Sequence, residues 1–130
     1  MSENIVSIDA DAPIRKAKEI FNKKGFHHLL VLENEKLFGV ISDRDLLKAI
    51  SPNVDSPAAT EKDLATLNKK AHQIMSRNPI CLYEHDTAKD AVLLFNAHKI
   101  SCIPVINEER KPVGIVTWRD IIRYIASKIE

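Results

Sequence analysis

The feature that most constrains this chain is that it is written twice. Residues 39–45 read Gly-Val-Ile-Ser-Asp-Arg-Asp, and residues 114–120 read Gly-Ile-Val-Thr-Trp-Arg-Asp. Upstream the correspondence continues one position out of step: Ala17 meets Ala91, Phe21 meets Phe95, Asn22 meets Asn96 and Val31 meets Val105. The second copy has therefore gained one residue, around Glu109-Arg110-Lys111, where a turn tolerates it. Two copies are too few for a solenoid, whose units need several stacked neighbours. They predict two half-domains packed about a pseudo-twofold axis.

Each copy parses alike. Ile5–Ile8 and Ile80–Tyr83 read as short strands. Pro13 opens a helix with Ile14, Ala17, Ile20 and Phe21 at helical spacing, closed by Gly25. In the second copy Asp86 or Thr87 caps a helix with Ala88, Ala91, Val92 and Phe95 on one face. Two strands joined by a polar turn follow: His28–Leu32 with Phe38–Ile41, and Cys102–Ile106 with Val113–Val116. Asn34-Glu35-Lys36 and residues 107–111 supply the turns. A short helix ends each copy, over Asp45–Ile50 and Ile121–Lys128. The fold class is α+β, a β-α-β-β-α unit repeated. The repeats span 1–58 and 74–130. Between them, Thr60-Glu-Lys-Asp63 is a capping box that opens a helical linker over 59–73, running through Leu64 and Leu67 towards Met75.

Composition excludes several function classes. Nineteen basic against eighteen acidic residues leave a charge of +1, which argues against a nucleic-acid binder. Aromatics at 5% give little for base stacking. Two cysteines exclude a disulfide scaffold, and Cys81 and Cys102 read as core residues. The longest apolar run, Ala91–Phe95, is far short of the ~20 residues of a membrane span. No signal peptide is visible in Met1-Ser-Glu-Asn4, so a cytoplasmic protein is expected. No nucleophile elbow, P-loop or metal-ligand spacing appears among His27, His28, His72, His85, His98 and the cysteines, so neither an enzyme nor a metal site is expected.

The repeated Ser42-x-x-Asp45 and Thr117-x-x-Asp120 read first as helix capping boxes. They also suit a nucleotide: a helix N-terminus attracts anions, and a nearby carboxylate accepts hydrogen bonds from two ribose hydroxyls. Arg44 and Arg119 precede the acids and suit phosphate oxygens. His27 and His28 alternate in direction, one towards solvent and one packed.

In Ile74-Met75-Ser76-Arg77-Asn78-Pro79, in Ile103-Pro104-Val105-Ile106 and in the duplicated Gly-x-x-Ser/Thr-x-x-Asp, the chain resembles a tandem cystathionine-β-synthase (CBS) domain pair, or Bateman module, of the stand-alone bacterial type. The first copy has Leu30 where the second has Pro104, and no Met-Ser-x-Asn-Pro opening. The fuller second motif makes Asp120 the stronger expected ribose holder.

The resemblance implies a non-catalytic regulatory module that binds AMP, ADP or ATP in the cleft between the repeats. Ser42, Asp45, Thr117 and Asp120 would hold ribose and phosphate, with Arg44, Arg119, His27 and His28 towards the phosphates. Ser76, Asn78, Pro79, Ile80, Ser101, Cys102, Ile103 and Pro104 would form the adenine pocket. A homodimer is expected from Leu46, Leu47, Ile50, Ile121, Ile122 and Ile125, with an effector protein acting in trans. The alternatives are a ligand-independent dimeric interaction module and an S-adenosylmethionine sensor.

Overall fold

The computed structural model describes residues 5–24 and 27–129, so the expected helix stop at Gly25 lies outside the described residues. The described chain divides into two compact units, one over 6–34 and 38–78 and the other over Ile5, 35–37 and Pro79 onwards.

In the first unit, β1 (Ser7–Asp9) runs parallel to β2 (His28–Glu33), with Ser7 opposite Leu30 and Asp9 opposite Leu32. Strand β3 (Lys36–Ser42) lies on the other side of β2, and β4 (Ser76–Arg77) pairs antiparallel with β3. The parallel step is bridged by α1 (Ile14–Lys24), whose Ile14 and Ala17 are fully buried and whose Ile20 and Phe21 pack half-buried on the same core. Pro13 stands just before the helix, where its missing N–H costs no intrahelical bond. Asn34 and Glu35 both take positive φ, 53° and 67°, the two-residue turn whose twist suits a hairpin. Lys36 therefore belongs to the strand rather than to the turn.

The β3 strand delivers α2 (Asp43–Ala49). This helix starts two residues earlier than the apolar spacing suggests, because Ser42 caps it directly. Helix α6 (Trp118–Ile129) starts three residues earlier than expected, immediately after Thr117, whose N–H and hydroxyl both donate to Asp120 Oδ2. The first strands of both copies are shorter and later than expected: β1 ends at Asp9, and β5 (Leu82–Tyr83) has only two residues.

The expected linker helix is broken into three pieces: α3 (Glu61–Ala65), a 3-10 turn over Thr66–Asn68, and α4 (Ala71–Ile74). The capping box is present, with Thr60 and Asp63 bonded reciprocally. The break comes at Lys69 and Lys70, whose ψ values of 147° and 151° are extended. Tertiary bonds outweigh helix continuation there. Ile14 N–H donates to the Lys69 carbonyl at 2.8 Å, Ala71 N–H to Ala12 at 2.9 Å, and His72 N–H to Ala10 at 3.0 Å. Ser51 joins in, donating its hydroxyl to Asp63 at 2.7 Å and its N–H to Thr66 Oγ1 at 3.0 Å.

These contacts place 59–73 in the first unit. Met75 goes with it, as a member of the core built on Ile8, Ile14, Leu29, Val31, Ile41 and Leu46. The repeats recur at residues 58 and 74, but packing draws its line after Asn78.

The second unit has three strands. Strand β5 runs parallel to β6 (Cys102–Ile106), and β7 (Pro112–Thr117) runs antiparallel to it. All five residues of β6 are buried. Pro104 stands opposite Ile115 of β7, while β5 pairs only with Val105 and Ile106, so the proline lies beyond the end of the parallel pairing. The residue gained by the second copy is absorbed at the hairpin end. Arg110 takes φ 64°, Asn107 Oδ1 accepts from the N–H groups of Glu109 and Lys111, and the register shifts between Val105 and Ile106. Helix α5 (Ala88–Ala97) is capped by Thr87. Asp86 instead accepts the Tyr83 N–H at 2.7 Å. Ala91 and Phe95 join Leu82, Ile103, Val105, Val116 and Ile121 in the core. The Trp118 ring packs tilted against Phe95, at 36° with centroids 4.9 Å apart.

Candidate functional site

Each unit presents one hydroxyl–carboxylate pair where a strand turns into a helix. At the end of β3, Ser42 Oγ accepts the Asp45 N–H at 3.1 Å, and Asp45 Oδ2 accepts the Ser42 N–H at 2.9 Å. At the end of β7, Asp120 Oδ2 accepts the Thr117 N–H at 2.8 Å and the Thr117 hydroxyl at 3.2 Å. Both are capping arrangements, and each uses Oδ2 of its acid. Oδ1 lies outside the cap, so capping and the acceptance of a ligand's hydroxyl use different oxygens of one carboxylate.

The surroundings of Asp45 are rich in titratable groups. Asp43, in the first turn of α2, bonds His27: Oδ2 to Nδ1 is 3.0 Å, and the Asp43 N–H donates to the His27 carbonyl at 3.0 Å. The hydrogen bond from His27 is the main reason that the Asp43 carboxyl is held below its ordinary range. His27 is exposed and His28 half-buried, as the alternation of a strand requires. Burial lowers the His28 imidazole below its ordinary value. His27 lowers it further, while Asp43 and Asp45 pull it back up. Arg44 is exposed on α2, and Arg119 is exposed on α6.

The expected adenine pocket is divided by the fold. Ser76 and Asn78 belong to the first unit, where Ser76 pairs with Val40 and Asn78 takes φ 52°. Pro79, Ile80, Ser101, Cys102, Ile103 and Pro104 belong to the second. Ile103 and Pro104 are fully buried in β6, and burial pushes the Cys102 thiol up to about 12. Their side chains serve the core. Of the fuller motif before β5, Met75 joins the first unit's core and Ser76–Arg77 completes its sheet. Arg77 fixes that edge, lying 5.8 Å over the Phe38 ring and donating to the His72 carbonyl at 3.3 Å.

The residues expected at a dimer surface are divided too. Leu46 and Ile121 are core, Ile50 packs half-buried, and Leu47, Ile122 and Ile125 are exposed. Exposed on α6 are Trp118, Ile122, Tyr124, Ile125 and Ile129, and all but Tyr124 fall at intervals that keep one face.

Sequence reading missed a cavity of about 240 Å³ inside the second unit, between the start of α5 and the start of α6. Its lining includes Asp120 with Glu84, Asp86 and Tyr124. The signal was present: Tyr124 lies one helical turn after Asp120 and beside buried Ile121. Among the described residues no group of three or more His, Cys, Asp or Glu side chains is placed to hold a metal ion. No helix is long and apolar enough to cross a membrane among the residues described.

Comparison with known proteins agrees with this architecture. The CBS domain family model matches residues 1–52 and 71–127. Protein MJ1225 of Methanocaldococcus jannaschii is 27% identical over 99% of this chain. Its crystal structure superposes with a TM-score of 0.83. This chain spans only 48% of MJ1225, about half the length of that relative. The CBS domain pair of protein MJ0100, solved in complex with 5′-methylthioadenosine and S-adenosyl-L-methionine, is 29% identical. That match has a TM-score of 0.77 and covers 98% of this chain and 93% of that one. CBSX2, solved in complex with AMP, shares the fold at a TM-score of 0.78 and 23% identity, over 98% of this chain and 91% of that one. With the repeat matched in both halves and the strand-to-helix carboxylate present in each, the chain belongs to the CBS domain family, as a tandem pair.

Proposed function

We propose that this chain is a non-catalytic regulatory module whose ligand is an adenosine nucleotide, AMP, ADP or ATP. The observation that carries the reading is the duplicated hydroxyl–carboxylate pair, Ser42 with Asp45 and Thr117 with Asp120, each leaving one carboxylate oxygen outside its cap. A carboxylate so held accepts a cis-diol in two bonds. Arg44 stands beside Asp45, with His27 and His28 nearby, and Arg119 stands beside Asp120. The MJ0100 pair was solved with two adenosine compounds, which supports an adenosine ligand in this family. The same observation favours a second reading, a sensor of S-adenosylmethionine, whose sulfonium needs no arginine.

The module works as a homodimer through the α6 face of Trp118, Ile122, Ile125 and Ile129. It acts in the cytoplasm by docking on an effector protein. Ligand binding shifts a population of conformations by its differential affinity.

Calorimetric titration of the protein with AMP, ADP, ATP and S-adenosylmethionine tests the reading. A nucleotide at 100 times its Kd raises stability by about 2.7 kcal/mol, a clear thermal shift. If none of the four binds, the ligand reading fails and a ligand-independent interaction module stands in its place.

A further inference from the structure

The two repeats differ in length by one residue between their paired strands, and that residue is Arg110. Val31 aligns with Val105 and Glu35 with Glu109 at one offset, then Lys36 with Lys111 and Gly39 with Gly114 at the next. Arg110 sits in the turn between β6 and β7. There the Asn107 N–H donates to the Lys111 carbonyl at 3.0 Å, and the Arg110 N–H donates to the Asn107 carbonyl at 3.0 Å. Arg110, at φ 64°, is the left-handed residue that closes this hairpin loop. Glycine is the usual occupant of such a position, because a Cβ there crowds the following carbonyl. Arginine is an unfavourable choice for the turn alone, so its role is decided by what its other groups hold.

They hold Leu37. The Leu37 N–H donates to the Arg110 carbonyl at 2.9 Å, and the Arg110 guanidinium donates to the Leu37 carbonyl at 3.4 Å. Beside them, Lys111 Nζ lies 3.7 Å from Glu35 Oε2 and 3.5 Å from Glu109 Oε2. Leu37 is buried, and residues 35–37 pack with the second unit although the rest of β3 packs with the first. Strand β4 covers β3 only at Gly39 and Val40, so Arg110 occupies backbone groups of β3 that the short β4 does not pair.

The contact lies at the start of two strands. Strand β3 begins at Lys36 and ends at Ser42, whose N–H is held by Asp45 Oδ2. Strand β7 begins at Pro112, two residues after Arg110, and ends at Thr117, whose N–H is held by Asp120 Oδ2. The two strands that deliver the carboxylates thus share a root. Packed strands carry displacement along their length, so a joint at the root couples their far ends.

We propose that Arg110 closes a clasp between the starts of β3 and β7, so that the two strand-to-helix junctions, Ser42–Asp45 and Thr117–Asp120, open and close together. The clasp needs no particular ligand at either junction.

The test is amide hydrogen exchange on the full chain, read residue by residue by NMR, in wild type, Arg110→Asn and Glu35→Lys. Asparagine tolerates the left-handed conformation, so Arg110→Asn keeps the turn and removes the guanidinium. Glu35 is exposed, and Glu35→Lys replaces its attraction to Lys111 with repulsion. Loss of one hydrogen bond changes a local opening equilibrium several-fold. In Arg110→Asn the Leu37 N–H should therefore exchange about fivefold faster, and the Ser42 and Thr117 N–H groups should speed up together, to within about twofold of each other. In Glu35→Lys the same three amides should speed up about twofold, an effect that fades in high salt. The amides of Ile14 in α1 and Ala91 in α5 should stay as in wild type. Unchanged exchange at Leu37 in Arg110→Asn overturns the clasp. So does a faster Leu37 that the two junction amides do not both follow, or a rise shared by Ile14 and Ala91, which is a loss of global stability. If Arg110→Asn does not fold, Glu35→Lys decides alone: the three amides moving together uphold the clasp, and unchanged or separate exchange overturns it.

Discussion

The first and second repeats descend from one pattern but differ in what completes them. The first unit's sheet has a fourth strand, β4, taken from the chain after the linker. The second unit's sheet ends at β7 and leaves an acid-rimmed cavity between its helices. Asp45 has His27, His28 and Asp43 about it, whereas Asp120, with Arg119 next in sequence, borders a cavity that Glu84 and Asp86 also line. Duplication thus fixed the position of a strand-to-helix carboxylate twice, and the residues around it diverged in charge. Similarity of motif is a poor guide to similarity of ligand when the motif is also a helix cap.

The sharpest way to break the comparison is at Gly39. A Cβ there would overlap the Met75 Sδ and lie 2.8 Å from both Met75 Cγ and the Ser76 carbonyl oxygen. The side chain can swing aside, but the β4 backbone cannot without losing its pairing. Gly39→Ala is expected to destabilise by about 1–3 kcal/mol, in the range of overpacked cores. Met75→Ala should cost about 2–5 kcal/mol by leaving a cavity. The two should couple, so that Gly39→Ala costs less once Met75 is alanine. Urea unfolding of both single variants and the double variant checks this. Strict additivity would mean that the Met75 side chain does not press on Gly39, leaving the Ser76 carbonyl as the obstacle.

A smaller effect separates the two caps. Ser42 Oγ accepts an amide N–H of α2, whereas the Thr117 hydroxyl donates to Asp120 while the Asp120 carboxylate takes the Thr117 N–H. Ser42→Ala should cost about 1 kcal/mol, a normal loss for an N-cap. Thr117→Val should cost less, because the carboxylate still holds the helix start. Thermal unfolding of the two variants ranks them.

The smallest effect is one of pH. Burial, the main cause, lowers the His28 imidazole below its ordinary 6.5. The folded state thus binds fewer protons than the unfolded chain over a window just below pH 6.5. Stability should be full above pH 6.5 and fall as pH drops through the depressed folded value. His28→Gln should flatten that part of the curve. Asp43, held low mainly by His27, acts in a separate window below its ordinary 3.8. On the proposed reading the sign reverses at His28: an AMP phosphate beside it would raise the imidazole, so binding is expected to take up a proton near neutral pH. Its affinity should rise as pH falls from about 8 towards 6, until the phosphate itself gains a proton near 6. Stability and AMP titrations across pH 5–8, in wild type and His28→Gln, test both halves.

Most of the fold was legible because its signals are local. Helical spacing found α1 and α5, and the duplicated glycine–hydroxyl–acid run placed both strand-to-helix junctions. Cys102–Ile106 was read to the residue because a buried apolar run between polar turns has little freedom. What was not legible is tertiary. Nothing in Lys69-Lys70 announces that their backbone will serve Ile14 and Ala71 rather than a helix. Nothing in Ser76-Arg77 says which sheet it will join. The carboxylates were legible as a pattern, but their electrical setting was not. That setting depends on Glu84 and Asp86, which lie more than thirty residues from Asp120 and form no motif with it.

The pairing of β4 with β3 sets where this protein can be divided. A gene fragment that ended at residue 58 or 73, where the repeat in the text suggests, would strip the first sheet of its outer strand and its core of Met75. The exposed rim of β3 would then be an open template for another chain. Recombination or engineering that exchanges one repeat for a relative's must carry residues 74–78 with the half that precedes them. The unit of copying in this sequence and the unit of folding overlap without coinciding. The five residues between them belong by descent to one half and by structure to the other.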